Sequence, residues 1–154
     1  ESPYWYATTD SEAVFAMTGE GFALPFALPI RFGRRDYSQE LINSGQVAAP
    51  VRVTIVGHGE TPTLTNRTTG KALALESPLP VGSVLSLNTD PAALDATVTD
   101  ASGSVSSAFG LLSIDTPLAD FTLRAGRNEL VYSAGGGAAQ TEIKVRWRAR
   151  YEGA

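Results

Sequence analysis

The chain has 154 residues, of which 43% are hydrophobic and only 18% charged, with 15 Gly, 9 Pro, no Cys and a formal net charge of −4. That length fits one domain able to bury a core without metals or cross-links, and the Gly/Pro-rich, charge-poor balance points to many short strands and turns rather than surface helices. The negative charge argues against nucleic acid, which needs a concentrated basic face; the lack of Cys leaves no disulfide framework or thiolate metal site and fits synthesis in a reducing cytosol; no apolar run approaches the ~20 residues that cross a bilayer, which argues against membrane insertion.

The opening Glu1-Ser2-Pro3 carries neither Met nor a signal-peptide pattern and predicts a processed or excised fragment. Tyr4-Trp5-Tyr6 follow as three consecutive aromatics. They are expected to anchor a first strand in the core or against a neighbouring domain, and the sharper alternative is a stacking platform for a sugar ring. Residues 13–18 (A-V-F-A-M-T) predict a strand, and 19–33, broken by Pro25 and Pro29, an extended edge segment. Residues 39–42 predict one helical turn, ended by Asn43-Ser44-Gly45.

Residues 43–89 form the organising stretch. Val51, Val53 and Ile55 alternate with Arg52 and Thr54, the period of a half-buried strand. A polar turn at 66–70 separates Leu64 from Leu73 and Leu75, and Pro80-Val81-Gly82 is expected to turn the chain into a strand holding Leu85 and Leu87. Turns are predicted at 88–93 and 100–103 around a short strand at 96–99. Residues 104–120 show no assignable pattern, with Leu111, Leu112 and Ile114 expected to pack inward. Phe121-Thr122-Leu123 leads through a tight loop at 124–128 into a strand at 130–133, and Gly135-Gly136-Gly137 is read as a hairpin turn. From 142 to 151, Ile143, Val145, Trp147, Ala149 and Tyr151 share one face and are expected in the core. The opposite face carries Glu142, Lys144, Arg146, Arg148 and Arg150, readable as a solvated surface that deters edge pairing or as a charged surface for an acidic partner. With no helical period and no internal repeat, the sum is an all-β domain of about ten short strands with almost no helix, most simply an antiparallel β-sandwich.

No motif assigns a catalytic, cofactor-binding or metal-ligating residue. His58, the one histidine, sits in Gly57-His58-Gly59 and is read as a turn residue, since a metal site there would have carboxylates alone as co-ligands. No G-x-S-x-G elbow surrounds a serine. Asp95, Asp100, Asp115 and Asp120 could pair as glycosidase acids, but nothing singles out two of them. Asn66-Arg67-Thr68 matches a glycosylation acceptor. A structural or binding protein is therefore favoured over an enzyme.

The order and spacing of several short motifs carry a resemblance. They are Asn43-x-Gly45, Ala49-Pro50, the V-x-V-x-I strand ending at Gly57, and Leu64-x-Asn66-x-Thr68-Thr69-Gly70. Then come Gly82-x-x-Leu85-x-Leu87-Asn88-Thr89, Phe121-x-Leu123-x-x-Gly126-x-Asn128-x-Leu130, and Val145-x-Trp147-x-x-x-Tyr151. Together they resemble the C-terminal half of siphophage distal tail proteins, the tail-tip family also found in prophages and tail-like particles. Nearly the whole chain is covered. Departures are Gln46, where the family often has an acid, Asn88, where it often has Asp, and the segment 100–120. The resemblance implies a galectin-like sandwich, with 1–42 as entry strands and edge segment and 43–154 as the main sandwich. It implies the outer half of a longer virion protein, assembled in the bacterial host cytoplasm and placed at the tail tip. Partners would be the tail tube, the tip hub and a receptor-binding protein, with a homo-oligomeric ring formed by the full-length protein and this half monomeric. No cofactor is implied. The alternative is a carbohydrate-binding module for host-surface glycans, which would need exposed, coplanar Trp5 and Tyr6.

Overall fold

Period-two burial builds the first layer. Along strand β4 (Ala49–Gly59), Val51, Val53 and Ile55 are buried while Arg52 and Val56 face out. Strand β12 (Thr141–Trp147) sets Ile143, Val145 and Trp147 beside them, in register Ile143↔Ile55, Val145↔Val53 and Trp147↔Val51. Strand β7 (Leu79–Asn88) adds Leu85 and Leu87 on the other flank. Each of these side chains contributes roughly 1.5–3 kcal/mol of hydrophobic stabilisation on burial, so the three strands are the thermodynamic centre of the domain.

The structure is a computed structural model that describes residues 4–17, 37–115, 117–134 and 141–152. Among these residues thirteen strands and two single 3-10 turns occur, and every strand pairing is antiparallel. The larger sheet runs β2 (Ser11–Met17), β12, β4, β7, β8 (Asp95–Thr99), β9 (Val105–Ser107), with the short β10 (Thr122–Leu123) on the first residues of β4. The second sheet runs β3 (Tyr37–Asn43), β11 (Gly126–Ser133), β5 (Thr63–Asn66), β6 (Lys71–Ala74). Its inner face brings Leu41, Leu64, Leu73, Leu130 and Tyr132 onto the larger sheet's apolar face, with Phe121 between them in one core. Burial pushes the Tyr132 phenol up to about 12, the Thr141 hydroxyl partly offsetting it, so the ring stays uncharged at neutral pH. The antiparallel β-sandwich expected from the sequence is thus the fold observed. A two-stranded ribbon of β1 (Tyr4–Tyr6) and β13 (Arg150–Glu152) completes it.

Three buried asparagines hold the frame, and two of them bond across the layers. Asn43, at the end of β3, donates through Nδ2 to the carbonyls of Val47 (3.0 Å) and Leu123 (3.1 Å), and its Oδ1 accepts from the Gly45 N–H (3.0 Å). Asn66, at the end of β5, donates to Thr122 O (3.0 Å) and Asn128 Oδ1 (3.2 Å), while its own Oδ1 accepts from the N–H groups of Thr68 and Thr69. Asn128 closes the β10–β11 loop by donating to the carbonyls of Arg124 and Gly126 and accepting from the Arg124 N–H. All three are essentially inaccessible to solvent. Because β10 belongs to the larger sheet and β3 and β5 to the smaller, the Asn43 and Asn66 amides are polar links between the layers, and Asn128 supports them by accepting from Asn66 and holding the loop that follows β10.

Several expectations are corrected. Residues 39–42 are strand, not helix: β3 pairs with β11 along its whole length, and that ladder outweighs local propensity. Pro80-Val81-Gly82 does not start the strand but forms a bulge inside β7: pairing with β4 resumes at Leu79↔Gly59, and Gly82 takes the bend at φ 80°. His58 is in β4, where the register shifts between Gly57 and Gly59, rather than in a turn. Ile114 is 93% exposed, although Leu111 and Leu112 do pack on the core. The last strand is broken: β12 ends at Trp147, and β13 pairs with β1 instead of β2. Ala149 is buried there, its carbonyl accepting from the Ala7 N–H, whereas Tyr151 is only half-buried. The expected turns at 66–70, 88–93, 100–103 and 124–128 are all present. The Pro-broken segment 19–33 and Gly135-Gly136-Gly137 lie outside the described residues.

The network makes a direct prediction. Asn128→Ala removes the partners of the part-buried Arg124 N–H and two carbonyls and leaves the Asn66 amide one acceptor short, and should cost about 1–3 kcal/mol. Asn128→Asp keeps the acceptor, loses both donors, and should cost as much or more. Urea denaturation measures both; a loss below about 0.5 kcal/mol for the alanine variant contradicts the assigned role.

Candidate functional site

The outward face of the larger sheet carries the polar half of each alternating strand. Register places Glu12, Arg146, Arg52, Asn88 and Asp95 in one row across β2, β12, β4, β7 and β8. The stripe of cations read from β12 onward is not bare. Lys144 pairs with Glu142 (3.3 Å), Arg146 with Glu12, Arg148 with Asp10 (2.8 Å) and Arg150 with Asp90 (3.3 Å). The acids that neutralise it are intramolecular. Nor does β12 lie at an edge, since β2 and β4 flank it, so a role in deterring edge pairing does not apply to it. The exposed pairs among these contribute little to stability, up to about 1 kcal/mol each.

Arg150 differs from the rest. Its side chain is only 14% exposed. The backbone beside it presses on the 43–47 turn, where Gln46 N–H donates to Arg150 O (2.9 Å). Any side chain at Gly45 would meet Arg150 O and N at 2.5 and 2.7 Å, so glycine is required there. The guanidinium stacks against Tyr6 (5.2 Å to the ring centroid) and Tyr4 (5.9 Å). It is a plug between the ribbon and the sheet, not part of a solvated face.

The aromatic run is therefore not core, which removes one of the two expected anchors and leaves the one against a neighbouring domain: Tyr4, Trp5 and Tyr6 are 38%, 72% and 41% exposed. Strand alternation puts Tyr4 and Tyr6 on the Arg150 side and Trp5 on the other, opposite Tyr151. Trp5 is exposed, but it does not form a coplanar pair with Tyr6.

Where the ribbon meets the sheet, a cleft of about 140 Å³ opens, lined among others by Tyr6, Asp10, Arg52, Asn88, Asp90 and Arg146. Four arginines and two aspartates line it in total. Arg52 alone of the four has no ion pair among the described residues, and it stands directly opposite Arg146. Chemically this is a small, positively biased recess with hydrogen-bonding walls.

The residues singled out for chemistry do not converge on it. Asp100 caps the β8–β9 turn, where the Ser102 hydroxyl (2.6 Å) and backbone N–H groups hold its carboxyl below the usual range. Asp120 pairs with Lys71 (3.8 Å), Asp95 is exposed on β8, and Asp115 is in the loop after Leu112. Asn66 is buried with its amide fully engaged, so the Asn66-Arg67-Thr68 sequon cannot be modified in the folded domain. What the sequence missed are Arg52, Asp10, Asn88 and Asp90. Arg52 showed only as an outward residue of a strand, and pairing across β12 is what gives it significance. No family model, curated protein or solved structure matches the chain.

If Arg150 is a plug, charge alone cannot replace it. Arg150→Lys should cost about 1 kcal/mol and Arg150→Ala about 2 kcal/mol in urea denaturation, with faster proteolysis before residue 10. A lysine variant as stable as the parent contradicts the stacked geometry.

Proposed function

We propose that this chain is the outer domain of a siphophage distal tail protein: a structural, non-enzymatic component at the virion tail tip. In that role the full-length protein forms a ring between tail tube and tip hub, and this galectin-like half projects outward to dock a receptor-binding protein. One observation carries the reading. The short motifs on which the resemblance rests fall on the residues that hold the frame. Asn43 and Asn66 link the layers, Asn128 holds Asn66 and the loop after β10, Gly45 sits where β13 crosses with no room for a side chain, and Gly70 closes the β5–β6 turn at φ 73°. Val51 N–H donates to the buried Thr89 hydroxyl (2.8 Å), which ties β4 to the end of β7. A set of spaced residues that encodes a frame is what distant members of one structural family share, while their surfaces diverge.

The test is a mass measurement on the chain alone and on a longer protein with the upstream ring-forming region restored. The reading predicts a monomer for the first and a closed ring for the second. A longer protein that stays monomeric at high concentration contradicts it.

A further inference from the structure

We propose that the cleft between the β1–β13 ribbon and the larger sheet binds the oxyanion of an acidic sugar, with Arg52 receiving the anion. The proposal concerns this domain by itself and stands or falls independently of the tail-tip reading.

Three observations lead to it. Arg52 and Arg146 are directly opposite on the same face of an antiparallel pair, where side chains start about 5 Å apart and like charges destabilise. Arg146, Arg148 and Arg150 each have an acid, whereas Arg52 has none among the described residues. Arg52 is thus an exposed residue lining the recess whose donor fork has no acid of its own, beside an arginine that already has one. Such a fork matches a carboxylate or phosphate with two parallel hydrogen bonds. Third, Arg150 Nε in the same wall is buried without a hydrogen-bond partner, a second unspent donor.

Size and lining narrow the ligand further. At about 140 Å³ the cleft is smaller than the ~300–1,000 Å³ of sites for drug-sized molecules, and suits one ring rather than a chain of them. Beside the arginines lie the Asn88 amide, the Asp10 and Asp90 carboxylates and Tyr6. Carboxylates next to an anion site are unfavourable for a bare anion. They are useful for a ligand that also carries hydroxyl donors. A hydroxylated ring with one acidic group satisfies both halves of the lining, with its oxyanion toward Arg52 and hydroxyls toward Asn88 and Asp90.

The experiment is a titration of the isotope-labelled 154-residue chain, followed by amide shifts, with sodium glucuronate, glucose and glucose 6-phosphate. Expected are saturable shifts around Arg52, Asn88 and Arg146 with glucuronate at millimolar Kd and none with glucose at about 50 mM, weakening as salt rises. Arg52→Ala should weaken binding at least about tenfold, and Arg52→Lys, which keeps the charge but loses the fork, about fivefold. Arg124→Ala, a cation outside the cleft, should change nothing. Neither Arg52 variant should melt below the parent, since each relieves or preserves a repulsive pair. Saturable binding of glucose 6-phosphate without glucuronate sustains the oxyanion site and assigns it to phosphate. No saturable shift with either anion, equal binding of glucose, or unchanged affinity in Arg52→Ala overturns the proposal.

Discussion

The structure depends on hydrogen bonds between asparagine side chains and backbone across the sandwich. Two stacked sheets gain most of their stability from non-directional apolar burial, which does not by itself fix how the layers sit on each other. Asn43 and Asn66 do fix it, by donating from the smaller sheet to the Leu123 and Thr122 carbonyls of β10. A buried amide left unpaired costs free energy comparable to the hydrogen bonds it forgoes. The two layers are therefore held to one arrangement in which every one of these groups is satisfied. In a chain without disulfides, that directional link is the main polar constraint on the core.

The outer face inherits its geometry from this link. Asn43 shapes the turn that holds Gly45, and Gly45 lets the backbone at Arg150 cross at close range. The crossing redirects the chain out of β12 into the ribbon, which brings Tyr4 and Tyr6 against the Arg150 guanidinium. The cleft is the space left between that ribbon and the sheet. Buried polar links thus place a surface recess, and the charges lining it are set by which strand positions happen to face outward there.

Much of the layer structure was legible in the sequence. The alternations at 51–55 and 142–147 predicted both central strands and their buried faces, because period two is a direct consequence of strand geometry. Asx-type turns at Asn66 and Asp100 were equally legible, since the same side chain that marks the turn makes its hydrogen bonds. What failed depended on distant partners. The break after Trp147 is invisible because the alternation continues through Ala149, while the chain has changed neighbours from β2 to β1. Tyr37–Asn43 lacks a strong strand signal and becomes one by pairing with β11. The acids that neutralise Arg146 and Arg148 lie 134 and 138 residues away in sequence, so the stripe of cations looked open when it is largely closed. For the candidate site the sequence showed Arg52 only as an outward residue, and only the register with Arg146 and Asn88 gives it a role.

The most direct test of this account is hydrogen exchange at the Asn43 and Asn66 side-chain amides, whose Nδ2 groups donate across to the Leu123 and Thr122 carbonyls of β10. If the asparagines lock the layers together, these two amides should exchange only through global unfolding, with protection equal to that of Val53 and Val145 in the central strands. Exchange through local opening, orders of magnitude faster than the core, would mean that these links break independently of global unfolding and that apolar packing alone positions the sheets.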